Sequence, residues 1–163
     1  MKRTSVKDVN CSIAQCLEVI GDWWTPLIIR DLLLGVRRFD DLQERLDISR
    51  NVLTQRLELL VANQIVERRR YQDRPPRFDY VLTERGRDLW PIMQAMKQWG
   101  DRWEAPNGTP VQLVHHTCGH IATVVPTCSA CGEELRIGEM HTVLGPGAGP
   151  EPLPPHLRSL PTA

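Results

Sequence analysis

Residues 46–82 read LDISRNVLTQRLELLVANQIVERRRYQDRPPRFDYVL, and the change of period inside this stretch decides the fold. After Ser49, whose hydroxyl suits a helix N-cap, Leu53, Leu57 and Leu60 recur at i, i+4 and i+7, the spacing of one buried helical face. At about 100° per residue, Asn51, Thr54, Gln55 and Glu58 fall on the opposite side, with Arg50 and Arg56 on the flanks. The period then shortens. Ile65–Tyr71 and Phe78–Leu82 are strand-like runs around residues 72–77, a turn segment with two prolines. A helix with a polar outer face followed by a basic hairpin predicts a winged helix.

Upstream, three shorter helical patterns lead into this stretch. Cys11–Ile20 spaces Ile13, Cys16, Leu17 and Ile20 helically and stops at Gly21. Thr25-Pro26 reads as an N-cap with proline at the first helical position, and the following run to Leu34 is mostly apolar before Gly35. Phe39-Asp40 opens a third helix with Leu42 and Leu46 inward. Downstream, Thr83 caps a long pattern through Leu89, Trp90, Met93, Met96, Lys97 and Trp99 to Trp103, in which Gly86 and Pro91 are expected to kink or break the helix. The fold class expected is α+β, mainly α. A winged helix-turn-helix domain spans residues 1–104, a linker 105–110, a small zinc-ribbon-like β module 111–140 and a disordered Pro/Gly-rich tail 141–163.

Composition narrows the function classes. The 163 residues carry a formal net charge of zero, which by itself argues against nucleic-acid binding, but the charge is unevenly distributed. From Arg50 to Arg77 the cations are Arg50, Arg56, Arg68, Arg69, Arg70, Arg74 and Arg77, against Glu58, Glu67 and Asp73. All are arginines, whose planar fork matches phosphate and guanine. No apolar run approaches the roughly 18 residues of a membrane helix, and the N-terminal stretch lacks an apolar signal core, so a cytoplasmic protein without membrane partners is expected. Five cysteines in such a chain point to metal or thiol chemistry rather than a disulfide framework. Gly-x-Ser-x-Gly, His-Glu-x-x-His and Gly-x-x-x-x-Gly-Lys motifs are all missing, so no enzymatic activity is expected.

In a winged helix the second helix of the helix-turn-helix enters the major groove while the wing grips backbone. Arg50, Asn51, Thr54 and Gln55 occupy the first turns of that helix and are expected at base edges; Arg56, Arg68, Arg74 and Arg77 are expected at phosphates. The bland alternative is a solvated helix face beside an ordinary charged hairpin.

The run from Cys11 to about Trp103 also resembles the HxlR-type winged-helix regulators, a bacterial family related to the MarR group. The resemblance is carried by Cys11 with residues 17–24 (LEVIGDWW), 28–32 (IIRDL), 38–42 (RFDDL), 48–57 (ISRNVLTQRL) and 75–86 (PPRFDYVLTERG). It implies a homodimer on double-stranded operator DNA, with the first and last helices of the domain making most of the dimer contact. Two-fold symmetry then demands a roughly palindromic site. The resemblance further implies that Cys11 can serve as a thiol sensor, which agrees with its place at a helix start, where the dipole favours a thiolate. Cys16, on the apolar side, reads as core, and Asp22 with Trp23 and Trp24 reads as packing.

His115-His116-Thr117-Cys118-Gly119 and Cys128-Ser129-Ala130-Cys131-Gly132 repeat one pattern, ligand-x-x-Cys-Gly. His115, Cys118, Cys128 and Cys131 are therefore the expected ligands of a structural Zn2+, four protein donors leaving no open coordination position; His116 and His120 are alternatives for the histidine. A deaminase centre is excluded, because Thr127 interrupts the Pro-Cys junction and no His-x-Glu or Cys-x-Glu precedes it in the segment.

The function expected is a sequence-specific transcriptional regulator, a repressor, responsive to a small molecule or thiol-reactive signal. The alternative is a basal transcription factor-like protein that docks on RNA polymerase through its zinc ribbon.

Overall fold

The computed structural model describes residues 5–148 and divides into two compact units, one through Ala122 and one from Thr123. In the first unit α1 (Ser12–Ile20), α2 (Thr25–Leu33), α3 (Phe39–Leu46) and α4 (Arg50–Ala62) precede an antiparallel hairpin of β1 (Val66–Asp73) and β2 (Pro76–Leu82). A short α5 (Glu84–Arg87), a longer α6 (Trp90–Trp103) and a two-residue hairpin of β3 (Leu113–Val114) and β4 (Ile121–Ala122) follow. This is a winged helix-turn-helix, with α3 and α4 as the helix-turn-helix and β1–β2 as the wing.

The core gathers where the helical stripes meet the base of the wing. Ile28, Ile29, Leu42, Leu53, Leu57 and Leu60 are fully buried, and Val66 and Leu82, directly paired across the hairpin, close the cluster from the sheet side. Each buried aliphatic side chain contributes about 1.5–3 kcal/mol against exposure. Asp31 of α2 is also fully buried. Arg30 pairs with it at 2.9 Å and Arg45 of α3 at 3.5 Å, so one buried carboxylate ties α2 to the first helix of the helix-turn-helix.

Several local expectations change. Helix α2 is not capped by Thr25, which lies inside the helix and is fully buried; Asp22 accepts from the amides of Trp24 (2.8 Å) and Thr25 (3.0 Å) instead. Trp24 packs against the core whereas Trp23 is 90% exposed. The wing strands extend further than their apolar runs, leaving Arg74-Pro75 as the turn, because proline is tolerated at the first residue of a strand and Pro76 sits there opposite Asp73. The last helical pattern does break, between α5 and α6, where Pro91 takes an N-terminal position of α6 and its missing N–H costs nothing. Gly86 does not cause the break. It is buried where a Cβ would collide with the Ile65 carbonyl, so glycine lets α5 lie against the start of the wing.

The second unit contains a bridge pairing Thr127 with Glu134 and a 3-10 turn at Pro146–Ala148. The tail expected at 141–163 falls mostly on residues 149–163, outside the described residues. Among the described residues no helix is long and apolar enough to cross a membrane.

Candidate nucleic-acid interface

The candidate reading helix α4 starts at Ser49, whose hydroxyl accepts from the Val52 amide at 3.3 Å. This cap fixes the first turn, from which Arg50, Asn51 and Gln55 project; all three are exposed. Thr54 is turned inward by comparison, its hydroxyl donating to the Arg50 carbonyl at 2.9 Å. Arg50 is held at the mouth of the helix-turn-helix, its guanidinium over the Phe39 ring at 4.7 Å and 3.6 Å from the exposed Asp40 carboxylate. Asn51 and Gln55 keep their amides unpaired among the described residues. That leaves both donors and acceptors free for base edges.

Arg56 stands apart. Its side chain is only 28% exposed, and its Nε lies 3.4 Å from Asp22 Oδ1 in the corner between α1 and α2.

On the wing, Arg68 lies over the Phe78 ring at 4.1 Å. Arg69 pairs with Glu67, and Arg70 folds back onto Asp73, its Nε 3.1 Å from the carboxylate and its Nη2 2.9 Å from the carbonyl. Those two arginines are neutralised locally, whereas Arg74 at the turn and Arg77 beside it are exposed and unpaired among the described residues. Sequence reasoning passed over Arg38, whose backbone pairs with that of Asp79 on β2 and whose guanidinium stacks on Tyr71 at 5.1 Å. The signal was the Arg37-Arg38 pair just before α3. Arg37, Arg38 and Arg45 also line an open hollow of about 490 Å³ with Asp41 and Asp79, a surface of mixed charge.

Helices α1 and α6 carry apolar side chains the domain does not bury. Ile13 and Leu17 of α1 are 71% and 50% exposed, and Met96, Trp99 and Trp103 of α6 are 50%, 59% and 61% exposed. Cys11 occupies the N-cap position of α1 and is an exposed free thiol; Cys16 is half-buried against the core.

The two ligand-x-x-Cys-Gly segments fold alike, each within its own unit. In the first, the Gly119 amide donates to the His115 carbonyl at 2.8 Å and the His115 amide to the His120 carbonyl at 2.9 Å. In the second, the Gly132 amide donates to the Cys128 carbonyl at 2.8 Å and the Cys128 amide to the Glu133 carbonyl at 2.8 Å. Gly119 (φ +70°) and Gly132 (φ +79°) both adopt the left-handed conformation the turn requires. His115 Nδ1 lies 3.3 Å from Cys118 Sγ. The amides of Cys131 and Ala130 point at the Cys128 sulfur and lower its pKa below the ordinary thiol value. Among the described residues no three His, Cys, Asp or Glu side chains converge as a metal set.

Residues 19–107 match the model of the HxlR-like helix-turn-helix family. The uncharacterised HTH-type transcriptional regulator Rv3095 of Mycobacterium tuberculosis is 42% identical over 137 residues, 83% of this chain and 87% of that protein. Among solved structures, PA1607, put forward as a transcription factor, superposes with a TM-score of 0.76 at 32% identity, covering 85% of this chain and 98% of its own. The oxidised form of the redox regulator HypR gives a TM-score of 0.53 at 36% identity over 56% of this chain and 96% of its own.

Proposed function

The chain belongs to the HxlR-like helix-turn-helix family of transcriptional regulators, and we propose that it acts as a homodimeric repressor on a roughly palindromic promoter site. The observation that carries this reading is the division of labour on one body. Exposed Asn51 and Gln55 on α4, unpaired among the described residues, suit base edges, while Arg74 and Arg77 at the wing tip, likewise unpaired among the described residues, suit phosphate. Homodimerisation is supported by the apolar surplus on α1 and on α6, which a solvated monomer would leave in water. Repression follows from occlusion: a dimer seated across two half-sites about one helical turn apart covers promoter DNA.

A thiol-reactive signal is the stimulus we favour. Cys11 is exposed at the start of α1, on the helix that carries part of the proposed dimer surface, and a redox regulator is among the solved relatives. Modification there would alter the spacing of the two reading helices. We also read His115, Cys118, Cys128 and Cys131 as ligands of a structural Zn2+, supported by the repeated spacing and the matching closure of each knuckle. Docking on RNA polymerase through a zinc ribbon is the competing reading, and it makes no use of the Asn51–Gln55 face.

Footprinting on DNA upstream of the chain's own gene and its neighbours tests the proposal. A short, symmetric, salt-sensitive protected site is expected. Co-purification with polymerase and equal binding to any duplex would overturn it.

A further inference from the structure

Arg56 lies on the helix assigned to the DNA and carries the charge a phosphate needs, yet its surroundings are intramolecular. Asp22, its partner, is only 10% exposed at the side chain and has no freedom to follow. Its Oδ1 accepts from the amides of Trp24 and Thr25, and its Oδ2 accepts the hydroxyl of fully buried Thr25. The carboxylate also sits at the N-terminus of α2, where the helix dipole favours an anion. Swinging Arg56 out to a phosphate would strand that half-buried carboxylate without its cation, a costly arrangement.

We infer that Arg56 is a positioning residue: its ion pair with Asp22 sets the roll of α4 about its own axis and so aims Asn51 and Gln55, and it does not grip DNA. The leucine stripe of α4 cannot do this alone. Leu53, Leu57 and Leu60 anchor the helix through non-directional apolar contact, which tolerates small rotations. Arg56 lies beside that stripe, next in sequence to Gln55, and its tie to a fixed point on the α1–α2 corner removes the remaining freedom. The same tie connects the reading helix to the corner that follows the Cys11-bearing helix.

This inference rests on the DNA-reading function, so its test separates the two. The full-length chain and its Arg56→Met and Asp22→Asn variants are titrated, over a range of salt, with a duplex from immediately upstream of its own gene and with a shuffled duplex of the same composition. Thermal melts confirm that each variant is folded at the assay temperature. The Asp22→Asn change keeps Oδ1 as an acceptor for the α2 amides and removes the charge, and the NH2 that replaces Oδ2 can donate to the Thr25 hydroxyl once that hydroxyl turns round. If Arg56 positions α4, both variants lose about tenfold in preference for the upstream duplex. Shuffled-duplex binding and the salt slope stay as in wild type, and the double variant is no worse than either single one.

If Arg56 met phosphate, Arg56→Met would lower the salt slope by about one unit on both duplexes. Asp22→Asn would then leave binding unchanged or strengthen it, since a negative charge near DNA is gone. That result overturns the inference, as does a wild-type preference in both variants. Should Arg56→Met not fold, the sign of the Asp22→Asn effect decides by itself. A wild-type chain without preference for the upstream duplex overturns the inference together with the function it rests on.

Discussion

Arg68 of β1 holds its guanidinium 4.1 Å from the centre of the Phe78 ring on β2, a diagonal contact two register positions away from the directly opposed Arg70–Phe78 pair. The ring orients the fork before any ligand arrives. Phe78→Leu keeps apolar bulk and removes the π-face, so DNA binding is expected to weaken by about 0.5–1 kcal/mol, equally on specific and shuffled duplexes. Titration of both duplexes checks this, and unchanged affinity would show that the stack contributes nothing to the grip.

The reading face and the wing tip differ in how they respond to salt. Gln55→Ala or Asn51→Ala is expected to cost about 1–3 kcal/mol on the specific site only, with the salt slope intact. Arg74→Ala or Arg77→Ala should weaken binding to every duplex and lower the slope by about one unit each. An equal response of all four variants to sequence and salt would refute the assignment.

For the α6 stripe the measurement is oligomeric state. Trp99→Glu, at a side chain that is 59% exposed, places a charge where a partner would bury it and leaves the monomer core untouched. A monomer by light scattering that no longer protects a two-half-site duplex is expected. A dimer that survives this change would move the interface elsewhere.

Chelation and pH address the knuckles. About one zinc per chain is expected by elemental analysis, lost in Cys131→Ser while the helical signal of the winged domain persists. In the metal-free chain the amides of Cys131 and Ala130 favour the Cys128 thiolate, so its pKa is lowered. Its alkylation should therefore rise with pH through a midpoint below that of an ordinary thiol, and zinc should suppress the reaction across that range. Metal content unaffected by Cys131→Ser would remove it from the ligand set.

Gly86→Ala probes the contact between α5 and the wing. A Cβ there meets the Ile65 carbonyl, and backbone atoms on both sides must shift. A loss of about 2–3 kcal/mol is expected, read as a drop of roughly 10 °C in melting temperature. A melt within about a degree of wild type would mean the junction is loose.

The periodic features of the chain were legible from residues alone. Leu53, Leu57 and Leu60 specify a helix because apolar burial repeats with the helical period, and the runs around Arg74-Pro75 specify a hairpin because its turn chemistry is local. The Ser49 cap and the exposure of Asn51 and Gln55 follow from the same local rules, and the repeated ligand-x-x-Cys-Gly spacing marks the two turns closed by Gly119 and Gly132. The tertiary structure alone decided which charges are free. Arg56 reads as a phosphate ligand in sequence, and the fold sets it 3.4 Å from Asp22, which is 34 residues earlier in the chain. Arg69 and Arg70 are quenched within the wing, Thr25 yields its capping role to Asp22, and Asp31 is buried beneath Arg30 and Arg45. The reason is physical. Burial periodicity is written along one element, whereas an ion pair depends on which side chains two elements bring within a few ångströms, and no period along the chain encodes that distance.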